Sequence, residues 1–162
     1  MKKKRDLIFP LLRISLGWIF LWPFFDKLLG LNFSTAPDKS WLLGNSPTSG
    51  FLQFSTKGPF SEVFQSLIGQ TWVDWLFMIG LLLIGLALIF GILTRIAAYS
   101  GTLLLLLMWL AALPPEHNPF LDEHIIYSLI LIGLTKISST KYLSFAKAWS
   151  KTRLVKKYSF LE

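Results

Sequence analysis

The run Asp122, Glu123, His124, with Tyr127 one helical turn beyond Glu123, sets two carboxylates, an imidazole and a phenol at the head of the otherwise apolar stretch NPFLDEHIIYSLILIG. Three kinds of chemistry suit these groups. Carboxylate and imidazole can together ligate a divalent cation, although EHNPFLDEH has no established ligand spacing and no metal is expected. Histidine, which titrates near neutrality, and tyrosine can relay protons to and from a ring carbonyl. The same groups can also do no more than tie helix ends together through a lysine.

Other residues can join this cluster only if helices bring them there. Asp26 and Lys27 close the first apolar segment, Asp74 opens the second, and Glu116 and His117 precede the last. Side chains lean toward the N-terminus of their own helix, so Lys27 leans inward from one surface while Asp122, Glu123 and His124, on an antiparallel helix, lean outward to the same depth. A lysine there needs a counter-charge, which makes a Lys27 pair with the helix-four acids the expected arrangement. Arg13 lies within the first segment, where an unpaired charge is costly; it is read either as a functional group or as a side chain snorkelling to the nearer surface. Trp22 and Trp109 are candidate aromatic lining for a flat ring, against the interfacial belt that tryptophans ordinarily form in membrane proteins.

The elements that must position these residues are set by composition. The chain has 162 residues, 53% hydrophobic and 15% charged, which is too oily for an ordinary soluble domain and too short for several. A single all-α integral membrane domain spanning 1–162 is expected. Cysteine is absent, which removes disulfides, thiol nucleophiles and cysteine-held clusters, and no intrinsic cofactor site is evident. Crossing a bilayer core takes about 20 helical residues, and four spans are predicted: 7–31, 73–93, 96–113 and 119–137, the last with Asn118 as cap and Pro119 in its first turn. Thr94 and Arg95 are read as the turn between the second and third spans. No internal repeat is visible, so the spans are expected to form a four-helix bundle. The first segment is read as a mature helix rather than a cleaved signal, because it is long, carries Arg13 and lacks a small-residue cleavage site.

Charge sets the orientation. Lys2, Lys3, Lys4, Arg5, Arg95, Lys136, Lys141, Lys147, Lys151, Arg153, Lys156 and Lys157 all fall on one side of this topology. Lys27, Lys39 and Lys57 fall on the other with Asp26, Asp38, Glu62, Asp74, Glu116, Asp122 and Glu123. The positive-inside rule then puts both termini in the cytoplasm of a multi-pass protein of the cell membrane. The net charge of +7 is accounted for by this inner face and implies lipid, not nucleic acid, as partner. Residues 32–71 form a long outer loop, in which Phe60, Val63, Phe64, Leu67 and Ile68 share one face of a predicted amphipathic helix over 59–68 that either covers the bundle end or acts as a binding loop. The basic tail 138–162, with Tyr142, Phe145, Ala146 and Trp149 on one face, is predicted to lie on anionic lipid.

The segments LLRISLGWIFLWPFFDKLLGL, with Arg13, Gly17 and Lys27, then GLLLIGLALIFGILTRIAAYSG and NPFLDEHIIYSLILIGL, resemble the DoxX/DoxD membrane proteins across most of residues 7–135. The resemblance implies a four-helix membrane fold and, for the DoxD branch, a subunit of thiosulfate:quinone oxidoreductase. It carries over Arg13, Lys27, Asp122, Glu123 and His124 as matching polar positions. Three readings follow: a quinone-linked oxidoreductase subunit whose partner carries the redox group, a small transporter or channel for a cation or small solute, and a non-catalytic scaffold. Seven outer acids against three lysines oppose a thiosulfate site on this subunit alone. A second redox subunit and a second copy of the chain are the protein partners left open.

Overall fold

The computed structural model describes residues 7–137 and 142–158, all helix and turn with no strand among them. The basic run 2–5, Lys141 and Glu162 lie outside the described residues. Helix α1 (Ile8–Leu29) is followed by a loop that carries two short 3-10 turns, then α2 (Ser49–Phe54) and α3 (Ser61–Gln65). Next come α4 (Thr71–Phe90), α5 (Thr94–Ala111), α6 (Glu123–Leu134), and the short α7 (Ala146–Trp149) and α8 (Arg153–Lys157). Three helices, α1, α4 and α5, are long and apolar enough to cross a membrane.

The fourth predicted span is shorter than its sequence promised. Asn118 does not cap a helix; its side chain accepts from the amides of Phe120 and Leu121 in a local turn. Asp122 is the cap, accepting from the amides of His124 and Ile125, so α6 has 12 residues instead of 19. Each of the two side chains accepts from two amides, but only those held by Asp122 belong to helical residues. The turn between α4 and α5 is also displaced, to Gly91–Leu93, with Gly91 and Leu93 left-handed, while Thr94 and Arg95 already belong to α5.

The periodicity of 59–68 is realised in pieces. Gly58, at φ +66°, presses against the Leu113 carbonyl and opens a 3-10 turn, α3 runs only from Ser61 to Gln65, and turns lead on to Gly69 at φ +76°. Phe64 and Leu67 are half-buried, whereas Phe60, Val63 and Ile68 are exposed. The tail is likewise broken, at Ser150–Thr152, where the Thr152 hydroxyl caps α8.

The core is shared by all four apolar helices: Leu16 and Phe20 of α1, Leu81, Ile84 and Leu88 of α4, Leu105 of α5 and Leu131 of α6. α1 packs chiefly on α4, and α6 on α5. The first pair is brought together by Gly17 and Gly85. A Cβ on Gly85 would stand 2.9 Å from Leu21 Cβ and 3.0 Å from both the Gly17 carbonyl and the Leu21 amide. Small residues at a crossing let helix backbones approach in this way.

Gly85→Ala is therefore expected to lower stability by about 1–3 kcal/mol through overpacking. Gly80→Ala, on the same helix but with open space around the added methyl, is expected to be neutral or to stabilise by up to about 1 kcal/mol. Unfolding of both variants in detergent titrated with dodecyl sulfate measures the difference, and equal effects at the two positions would contradict the close crossing.

Candidate functional site

The ionisable residues singled out by sequence separate into two groups at opposite ends of the bundle. Arg13 lies in the second turn of α1, Asp26 near its end, and thirteen residues of helix put them about 20 Å apart. All seven described acids, together with Lys27, Lys39 and Lys57, gather at the end where α1 finishes and α4 begins. Arg13 belongs to the other end and does not contribute to a site with Glu123.

Arg13 does not snorkel. It is 1% exposed, and its Nη1 donates to the carbonyls of Leu88 and Ile89, the latter at 3.2 Å, while Nη2 donates to Leu143 at 2.8 Å and Tyr142 at 3.4 Å. The last carbonyls of a helix have no intrahelical partner and carry the negative end of its dipole. A guanidinium, with five donors in a fixed fork, satisfies them. Gly91, left-handed and without a side chain, leaves the room that Arg13 and Ser144 fill.

Asp26 and Asp74 are buried, and each fastens part of the loop 32–71. After α1, Gly30 and Asn32 adopt positive φ and turn the chain back, so that the Asp26 carboxylate accepts from the Phe33 amide (3.2 Å), the Ser34 amide (3.0 Å) and the Ser34 hydroxyl (2.7 Å). This sets the Phe33 ring edge-on to Trp22, centroids 4.9 Å apart. Asp74, in the first turn of α4, accepts from the hydroxyls of Ser46 at 2.7 Å and Thr48 at 2.6 Å. Both carboxylates are thus committed to loop anchoring.

Asp122, Glu123 and His124 do stand together, with ligand atoms within 4.8 Å of one another. Such a group can hold a cation, but Asp122 Oδ1 is engaged as helix cap and Oδ2 pairs with His124 Nδ1 at 2.9 Å, while Glu123 is exposed. Tyr127 packs against the core from the next turn. Lys27 is half-buried and makes no ion pair within 4.0 Å among the described residues, so the expected Lys27 pair with Asp122 or Glu123 is not formed. Lys27 and these acids share one end of the bundle, but α1 packs chiefly on α4 and more lightly on α6.

Glu116 finds its partner in the loop instead, meeting Lys57 at 3.0 Å. The hydrogen bond and charge of Lys57, helped by His117, hold the Glu116 carboxyl below its ordinary value. His117 itself is exposed. The Trp109 indole N–H donates to the Phe120 carbonyl at 3.1 Å and ties the approach to α6 onto α5.

Trp22 borders a shallow depression on the outer face of α1. Trp18, Ile19, Trp22 and Pro23 border this shallow groove, which is largely open on its outer side, with the Trp18 and Trp22 rings 5.8 Å apart and tilted by 38°. Trp18 is 50% exposed on the surface of a spanning helix, so the groove opens toward lipid. Sequence reasoning passed over Trp18, Ile19 and Pro23, although their spacing of one helical turn around Pro23 was the available signal. It also missed Ser34, Ser46 and Thr48, whose roles depend on how the loop folds back.

A family model described as DoxX matches residues 8–113, well over half of the chain, from α1 through α5 and ending before the Asp122–His124 run. No curated protein and no solved structure matches the chain.

The Lys57–Glu116 contact makes a pH statement. A carboxyl whose folded value is lowered adds its tether above the ordinary range, about 4.3 for glutamate, and loses it as pH falls through the lowered value. In a carbon-13 titration of labelled glutamate, Lys57→Gln is expected to return Glu116 upward toward that ordinary value. An unmoved Glu116 titration would show that the pair exerts no hold.

Proposed function

The chain belongs to the DoxX family, and on that premise we propose that it serves as the membrane subunit of a quinone-linked oxidoreductase, receiving a quinone from the bilayer while a partner subunit carries the redox group. The carrying observation is the groove of Trp18, Ile19, Trp22 and Pro23, which opens on the lipid-facing side of α1. Quinone is a flat apolar ring dissolved in lipid, and aromatic walls with few polar groups are the usual lining of such sites. Lys27 stands one helical turn beyond Pro23 on the same face, half-buried and without an ion pair among the described residues. Its ammonium is the donor that a ring carbonyl at the groove's outer rim would meet.

The transport reading draws less support, because the polar groups a solute would follow are split between two ends and Asp26, Asp74 and Arg13 are occupied by hydrogen bonds. The thiosulfate variant of the oxidoreductase reading requires the partner to bind the dianion, since the end that carries Lys27 also carries all seven described acids.

Photolabelling reconstituted protein with an azidoquinone tests the proposal. Labels are expected to concentrate in α1 between residues 18 and 27, and Trp18→Leu with Trp22→Leu should reduce labelling by about ten-fold, since two stacked aromatic contacts contribute roughly 0.5–1.5 kcal/mol each. Labels spread evenly over the lipid-facing helices would defeat it.

The same reading places the protein in the cell membrane with both termini in the cytoplasm, as its charge separation supports. Because the chain lacks cysteine, a single cysteine at Lys151 reports sidedness directly. It is expected to react with an impermeant maleimide only after cells are opened, and labelling of intact cells would reverse the orientation.

A further inference from the structure

The segment 142–158 carries Lys147, Lys151, Arg153, Lys156 and Lys157, all exposed, and no acid. It is fastened to the bundle at a defined level. Arg13 holds the carbonyls of Tyr142 and Leu143, the Phe145 amide donates to the Phe90 carbonyl at 2.9 Å, and the Phe145 and Phe90 rings meet at 5.9 Å. Phe90 is the last residue of α4, and α5 begins four residues later. The segment therefore lies where two spanning helices leave the apolar layer. Val155 is buried, which holds α8 against the protein, whereas Tyr142, Leu143, Phe145, Leu154 and Tyr158 are exposed among the cations.

Exposed aromatics and leucines at the edge of the hydrocarbon, interspersed with lysines, match the layered chemistry of a lipid surface: acyl chain and glycerol below, phosphate above. A nucleic acid would leave the apolar side chains unused. The geometry points to a docking surface for anionic phospholipid headgroups on this strap, with Arg13 as the positioning residue that fixes its depth. Every described acid lies at the far end of the bundle, so nothing nearby among the described residues neutralises the strap. The surface takes phosphodiester headgroups through the five cations, while the exposed rings insert beside them. Each lysine or arginine near an anionic bilayer contributes about 1 kcal/mol, close to a five-fold preference.

The full chain with a fluorophore on Ala148→Cys, reconstituted in nanodiscs, provides the test. Brominated phosphatidylglycerol and brominated phosphatidylcholine are compared at equal mole fraction. Quenching by the anionic lipid is expected to exceed that by the zwitterionic lipid several-fold. A variant with Lys147, Lys151, Arg153, Lys156 and Lys157 all changed to glutamine should lower the ratio several-fold with unchanged helix content, because all five side chains are exposed and the remaining cations of this face lie outside the strap. Equal quenching of the unmodified chain overturns the proposal and leaves the strap to an acidic protein partner. A preference that survives undiminished in the glutamine variant also overturns it. Inorganic phosphate that abolishes the preference where chloride at the same ionic strength does not would assign the cations to free phosphate instead.

Discussion

A guanidinium with no carboxylate beside it among the described residues is the constraint around which this bundle is arranged. Arg13 is buried in the second turn of α1, and its four hydrogen bonds go to backbone carbonyls, two from the end of α4 and two from the chain that follows α6. The charge is tolerated because helix-terminal carbonyls concentrate partial negative charge and otherwise lack partners. For the fork to reach them, α1 and α4 must lie close, which Gly17 and Gly85 allow, and α4 must end without a side chain, which Gly91 allows. Three glycines and one arginine thus act together, and replacing the arginine by an aliphatic residue would orphan four carbonyls.

The opposite end solves the same problem with opposite charge. Asp26 and Asp74 gather amides and hydroxyls from the loop between α1 and α4, so a connection of some forty residues, longer than most bundles contain, is fastened at both of its flanks. Only the Asp26 anchor reaches a surface of functional interest, because the turn it holds lays Phe33 on Trp22 at the rim of the aromatic groove.

What could be read from the residues was whatever depends on length, hydropathy and charge. Three apolar helices long enough to span emerged within a few residues of their bounds, as did the DoxX resemblance. The start of α6 was misplaced because Asn118 and Asp122 both present capping side chains, and only the folded chain shows which one meets helical amides. The pairing of Lys27 with Asp122 or Glu123 failed for a different reason: depth along the bundle can be reckoned from the sequence, but azimuth cannot. Arg13 posed the same difficulty, since a snorkelling arginine and one that caps a neighbouring helix have the same position in the chain. Partners such as Ser34 and Thr48 are set by loop geometry that no periodicity encodes.

The brevity of α6 bears on the lipid around it. Twelve residues rise about 18 Å, against a hydrocarbon layer of about 30 Å. Its neighbour α5 has 18 residues and rises roughly 27 Å, so the two faces of one helix pair ask for different bilayer thickness. Exposed Phe120 and Leu121 extend the apolar surface past the start of α6, yet their backbone is not helical and resists exposure to hydrocarbon. Thinning costs a fraction of a kcal/mol for each ångström of hydrophobic mismatch. Were α6 to cross the layer, its flank would be where the bilayer has to thin most, and where contact with another polypeptide would relieve elastic strain.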